Sequence, residues 1–168
     1  MSFLPTADYK IPTNSNYLKL KEGKNIFRIM SSAIVGYEYW NTNNKPIRSR
    51  EMFEETPTDI QVSKEGTSRI SHFWAFVVYN YDEKKLQILE LTQKGIMETI
   101  KEYVDNPAWG SPSEYDFIIS RKGSGFDTEY SVTVNPKSPA PDISEDSVKK
   151  INLEALYTGA DPFTTSAK

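Results

Sequence analysis

Along the chain, apolar residues recur at two different spacings, and the switch between them divides the sequence into elements. YLKL (17–20), KEGKN and IFRIM (26–30) read as strand, glycine turn and strand. Leu18 and Leu20 lie on one side, and Ile26 and Met30 flank an outward Arg28. AIVGYEYW (33–40) alternates as a further strand. Residues 41–71 are polar, without periodicity and marked by NTNN and EETPTD, which makes them a long excursion between strands. HFWAFVVYN and LQILELT, joined by YDEKK, form the strongest hairpin pattern. Both strands are too apolar to leave one face wholly in water. KGIMETIKEYV then changes to helical spacing, with Ile96, Ile100, Tyr103 and Val104 on one face and Thr92 placed as its N-cap. Asn106 and Pro107 end it, and YDFIISR and TEYSVTV close the series around the KGSGFD turn.

Seven short strands with one late helix lack the alternating crossovers of a parallel sheet. The expected fold is all-β with one inserted helix, an OB-fold-like antiparallel barrel with flexible N- and C-terminal tails. The expected division is a flexible arm over 1–15, a barrel domain over 16–136, and a proline-containing linker with a mildly acidic tail over 137–168.

Composition narrows the chemistry. The chain of 168 residues has no cysteine and one histidine, His72, so thiolate sites and ordinary structural zinc sites are excluded. No stretch approaches the roughly 20 apolar residues of a bilayer span, and a cytoplasmic protein is expected. The net charge of −3 is unevenly spread: Tyr17 to Ala140 carries 16 basic and 17 acidic residues, whereas Asp142 to Phe163 carries five acids against Lys149 and Lys150. No nucleophile accompanies His72, no carboxylate cluster has metal-site spacing, and the GSG at 123–125 joins two strands instead of opening a helix. A binding protein without enzymatic activity and without cofactor is the expectation.

HFWAFVVYNYDEKKLQILELTQKGIMETIKEYV and WGSPSEYDFIISRKGSGFDTEYSV resemble the OB-fold single-stranded DNA-binding proteins of tailed phages, the helix-destabilising replication proteins. YLKLKEGKNIFRIM, IVGYEYW and KPIRSR are similar to the opening of that family, and the likeness runs from about Tyr17 to Pro136. The resemblance implies cooperative, sequence-tolerant coating of single-stranded DNA in replication, recombination or repair within the cytoplasm of an infected bacterial cell. It also implies a C-terminal tail that contacts replication or recombination proteins and competes with DNA. Some relatives carry a zinc subdomain in the long loop, for which this chain has no ligands.

A sequence-tolerant binder of single strands needs cations along a groove and aromatic plates beside them. Tyr37 and Tyr39 share a strand face opposite Glu38, and Trp40 stands where the strand meets Lys45, Arg48 and Arg50, a basic cluster free of acids. Each aromatic is either a stacking plate or a core residue. Trp74 is placed near the groove with Tyr79 and Tyr81 as alternatives, and Arg28, Arg121 and Lys122 are further candidates for phosphate contact. Asp161, Pro162 and Phe163 form a candidate hook for a partner or a neighbouring protomer. The reading from another class is an OB-like protein-interaction module whose aromatics are simply core.

Overall fold

The computed structural model describes residues 3–6, 15–123 and 125–163. Most of the segment read as an N-terminal arm, and Ser124 of the GSG turn, lie outside the described residues. Seven strands form one mostly antiparallel sheet: β1 (Gly23–Ile29), β2 (Ile34–Trp40), β3 (Pro46–Ser49), β4 (Ser71–Asn80), β5 (Lys85–Leu91), β6 (Asp116–Lys122) and β7 (Glu129–Val134). Helix α1 (Lys94–Asp105) separates β5 from β6, and two short helices, α2 (Glu145–Lys149) and α3 (Ala155–Thr158), follow β7. No helix among the described residues is long and apolar enough to cross a membrane.

β1 and β2 run in the same direction along one edge of β4, with Ile29 opposite Val78 and Ile34 opposite Ala75. They are therefore one long strand interrupted at residues 30–33. At the interruption the Met30 amide donates to the Val77 carbonyl (2.8 Å), and the Val77 amide donates to the Ser31 hydroxyl (2.9 Å). A side-chain oxygen thus replaces the missing ladder carbonyl, and the extra residues bend the strand as bulges do.

Counting β1 and β2 as one gives the order of a five-stranded OB barrel. The long strand pairs with β4 and β6, β4 pairs with β5 along its whole length, α1 follows β5, and β6 pairs with β7. β3 is an addition carried by the long first loop, paired to the far end of β2. The barrel is not closed by strand pairing, since no ladder joins β5 to β7 among the described residues.

The interior is built from alternate residues: Phe27 and Ile29, Phe76 and Val78, Leu89 and Leu91, and Phe117 and Ile119, with Ile96, Met97 and Ile100 of α1 packed on them. Phe27 and Phe117 sit opposite each other in register with rings stacked at 5.9 Å. YLKL does not extend into a ladder of its own. Tyr17 makes one parallel bridge to Ile88, and Leu18 drops into the core. The helix begins one residue later than the sequence suggests, with Gln93 in the N-cap position and no side-chain cap.

The C-terminal segment carries more structure than its composition indicates. On the outer surface of the sheet, Phe73, Ala75 and Ile88 form a second apolar cluster, and Leu156 of α3 is buried on it. Ile151, Leu153, Tyr157 and Phe163 pack around Leu156, and the Asn152 amide donates to the Pro162 carbonyl (2.8 Å) to close the hook.

Candidate nucleic-acid interface

Strand alternation divides the aromatic stretch that the sequence singled out. Glu38 and Trp40 lie on the outer face with Arg48, Ser71 and Phe73, and Tyr37 and Tyr39 lie on the other. Tyr39 is buried with its ring edge against Phe53 (5.2 Å), and its hydroxyl donates to Asp59 (2.8 Å). Burial and that bond push its hydroxyl pKa up. Tyr37 is half-buried against the His72 ring at 5.1 Å. Trp40 alone of the three presents a large free face, being 46% exposed.

Trp40 forms one wall of a cleft of about 590 Å³ between the end of β2, the 61–69 stretch and the end of β5, lined by Glu38, Gln61, Arg69, Ser71 and Glu90 among others. Two backbone links hold the long loop against β2: the Gln61 amide donates to the Trp40 carbonyl and the Thr42 amide to the Asp59 carbonyl, each at 2.8 Å. A tight turn bounds the loop beyond, where the Ser63 amide donates to the Thr67 carbonyl (2.7 Å). These bonds place exposed Arg69 at the rim. Arg69 is not among the candidates above: it lies in the stretch without periodicity, where only its charge marks it.

The floor of the cleft is ionic. Arg48 Nε donates to Glu90 Oε2 at 2.7 Å, and its guanidinium lies 5.9 Å from the Phe73 ring centroid. Glu38, paired with Arg48 in the ladder and 3% exposed, stands against Glu90. Burial, then the Glu90 charge and their hydrogen bond, push the Glu38 carboxyl up to about 8, with Arg48 acting in the opposite sense. Its Oε1 is buried with no protein donor.

The basic cluster is accordingly mostly committed. Arg48 is largely buried and neutralised by Glu90. Arg50 is paired with Glu154 and lies over the Tyr157 ring, both on the C-terminal segment. Lys45 is exposed at the Asn41–Lys45 turn, where its amide donates to Asn41 Oδ1 (2.9 Å).

Four other predicted residues lie elsewhere. Arg28 does point away from the barrel core, but it is not on the surface: its side chain is 0% exposed beneath the Ser113 and Ser138 segments. It donates to Asp116 Oδ1 (2.7 Å), the Ser113 carbonyl (3.0 Å) and the Ser138 hydroxyl (2.8 Å), a complete set of internal acceptors that excludes phosphate. Trp74 faces the interior and packs partly buried on the core, away from Trp40, because its ladder partner is Val35 on the face opposite Glu38. Tyr79 and Tyr81 meet edge to face at 5.1 Å, and the Tyr81 hydroxyl donates to Asp116 (2.8 Å). Burial, and then that bond, push the Tyr81 hydroxyl up to about 12.

Arg121 is half-buried with Nη1 donating to the Leu20 carbonyl (2.9 Å), while Lys122 is exposed at the end of β6. Pro162 is buried and Phe163 packs edge-on to Tyr17 at 6.5 Å, with Asp161 accepting from the Phe163 amide (2.9 Å). The hook therefore docks on its own domain.

No family model and no solved structure matches the chain. Among curated proteins it is similar to one from Escherichia phage T5 named "Probable ssDNA-binding protein", at 29% identity over 140 residues, covering 69% of this chain and 53% of that protein. The chain spans about half the length of the curated relative it matches.

Proposed function

We propose that this protein binds single-stranded DNA without strong sequence preference, as a coating protein of phage replication, recombination or repair, and that it does so without catalysis. The observation that carries the reading is the cleft on the outer face of the β2–β4–β5 sheet, which exposed Trp40 and exposed Arg69 both line. In OB barrels the second and third strands and the first loop make up the ligand surface. Here those elements are β4, β5 and the 41–70 loop, which bound this cleft. The similarity to a phage protein named for single-stranded DNA supports the same ligand.

The C-terminal segment covers the remainder of that face, so the tail and a long DNA strand compete for it. Release of α3 uncovers Phe73 and Ile88 and frees Arg50 from Glu154, converting a covered face into one with both apolar and cationic character. A location inside the infected cell and self-association along DNA belong to the same reading.

The test is titration with poly-dT at low salt, following the fluorescence of the three tryptophans. Quenching that tolerates changes of base and prefers single strands over duplex is the expected result. A flat titration returns the domain to the protein-interaction reading.

A further inference from the structure

The edges of the sheet are not treated alike. An unpaired strand edge is a row of free N–H and C=O groups ready to take another strand, and proteins blunt such edges with proline, charge, short length or a covering segment. β3, at one end of the strand order, is four residues long, starts at Pro46, is flanked by Lys45 and Arg50, and has α3 against it. The outer edge of β5 is met by Asn16 to Leu18: the Ile88 amide donates to the Asn16 carbonyl and the Leu18 amide to the Ile88 carbonyl, each at 2.9 Å. β7, at the other end of the order, has none of these devices. No strand pairs with its outer edge among the described residues, its six residues include no proline and no lysine, and its one charge is Glu129 at the first position. Glu129, Tyr130, Ser131 and Thr133 are exposed.

We propose that β7 is the pairing edge for a second copy of this chain: two protomers join antiparallel, β7 to β7, about a two-fold axis perpendicular to the sheet. The β6 ladder puts Tyr130, Val132 and Val134 on the core side and Glu129, Ser131 and Thr133 on the outer side. Opposed residues in such a pair share a face, so the axis passes through a single residue. Centred on Ser131, Tyr130 meets Val132 and Glu129 meets Thr133; centred on Val132, Tyr130 meets Val134 and Ser131 meets Thr133. Both registers set an aromatic ring against a β-branched side chain, a favourable cross-strand pair, and neither brings the two Glu129 carboxylates together. The strand is thus chemically complementary to itself, which favours a second copy over an unrelated peptide. An isologous pair closes on itself as a dimer, so this pairing is separate from the self-association along DNA in the reading above. It takes nothing from the cleft either, since β7 stands at the far end of the strand order from β2 and β3 and lines none of it.

The test is sedimentation velocity on the full chain across a concentration series, with hydrogen exchange of the β7 amides followed at both ends of the series. The wild type is expected to sediment as a dimer at high concentration, and the amides of 129–134 that do not bond to β6 are expected to gain protection there. Ser131→Lys, at an exposed position on the outer side, sets like charges along the pairing edge and is expected to raise the dimer dissociation constant about tenfold. Mixing Ser131→Lys with Ser131→Glu is expected to restore the dimer, which a misfolded variant cannot do. Monomer throughout a series reaching about 100 µM, where interfaces of micromolar strength are populated, overturns the proposal. A dimer whose β7 amides gain no protection, or which a folded Ser131→Lys leaves unaltered, also overturns it, because the contact then lies on another surface. Pairing is read without DNA, so a flat poly-dT titration and a monomeric wild type are separate failures of separate readings.

Discussion

The Arg50 guanidinium lies over the Tyr157 ring, 4.4 Å from its centroid, and joins the basic loop after β3 to the C-terminal helix. The Tyr157 hydroxyl donates to the Val35 carbonyl (2.5 Å) on the neighbouring strand, so one side chain fastens α3 to two parts of the sheet. A cation over an aromatic ring at a surface is worth about 0.5–1 kcal/mol. Tyr157→Ala is therefore expected to loosen the segment and raise affinity for poly-dT by up to about fivefold, read by fluorescence titration. Unchanged affinity would remove competition between the segment and DNA.

Trp40→Ala is expected to weaken binding to poly-dT by about 1–3 kcal/mol, the range for a stacked base. The same substitution at Tyr39, whose ring is buried and hydroxyl bonded to Asp59, lowers stability instead. Affinity titrations paired with urea denaturation separate the two effects.

Arg69→Ala is expected to reduce the slope of log affinity against log salt by roughly one phosphate contact, about 0.7 for single strands. Arg48→Ala leaves Glu90 without its partner beside Glu38, so its main effect is on stability. Titrations between low and moderate salt distinguish the exposed cation from the internal one.

Replacing Arg28 by Met leaves Asp116 facing a partner that no longer exists, and the Ser113 and Ser138 segments lose the group that ties them together. Removal of one member of a buried ion pair costs about 3–5 kcal/mol. Denaturant unfolding is expected to show a loss of that order, with DNA affinity per folded molecule unaltered.

The Glu38 carboxyl makes stability depend on pH in a defined direction. Its folded pKa, pushed up to about 8, exceeds that of an exposed carboxyl near 4.3. The folded state thus holds a proton that the unfolded state releases. Its contribution is fully present below about pH 4 and is lost as pH rises through about 8. Between these limits the wild type is expected to lose stability relative to Glu38→Gln, which cannot titrate, as measured by thermal unfolding from pH 5 to 9. Parallel profiles would place the shifted proton elsewhere.

Most of the sheet is legible in the sequence because alternation and turn residues are local signals: β2, the β4–β5 hairpin, α1 and the β6–β7 hairpin all fall where the pattern places them. The joining of β1 and β2 into one strand is not, since Ser31 accepting from Val77 depends on a neighbour 46 residues away. Gly36 is a similar case. Its position on the outer face admits no side chain because a Cβ there would stand 2.3 Å from the Ser49 carbonyl oxygen, and only the β2–β3 pairing reveals this.

The site was legible in part. Trp40 and the basic loop stand out by composition, but an arginine in sequence does not disclose its acid. Glu90 lies 42 residues from Arg48 and Glu154 lies 104 from Arg50. Arg28 looks outward because its strand neighbours face the core, and what covers it is the chain 85 and 110 residues later. The C-terminal hook read as a tail because its apolar residues are few, and they suffice because Phe73, Ala75 and Ile88 meet them.

The long bent strand is made early in synthesis yet depends on partners made much later, with Gly23 waiting for Arg121 and Ile34 for Ala75. Contacts so distant along the chain must close large loops before any burial rewards them, which slows folding. The emerging polypeptide therefore has a period in which β4 and β5 have formed their hairpin while the leading residues of the first strand, Gly23 to Asn25, have nothing to pair with. On the ribosome, the barrel can be completed only once β6 has cleared the exit tunnel.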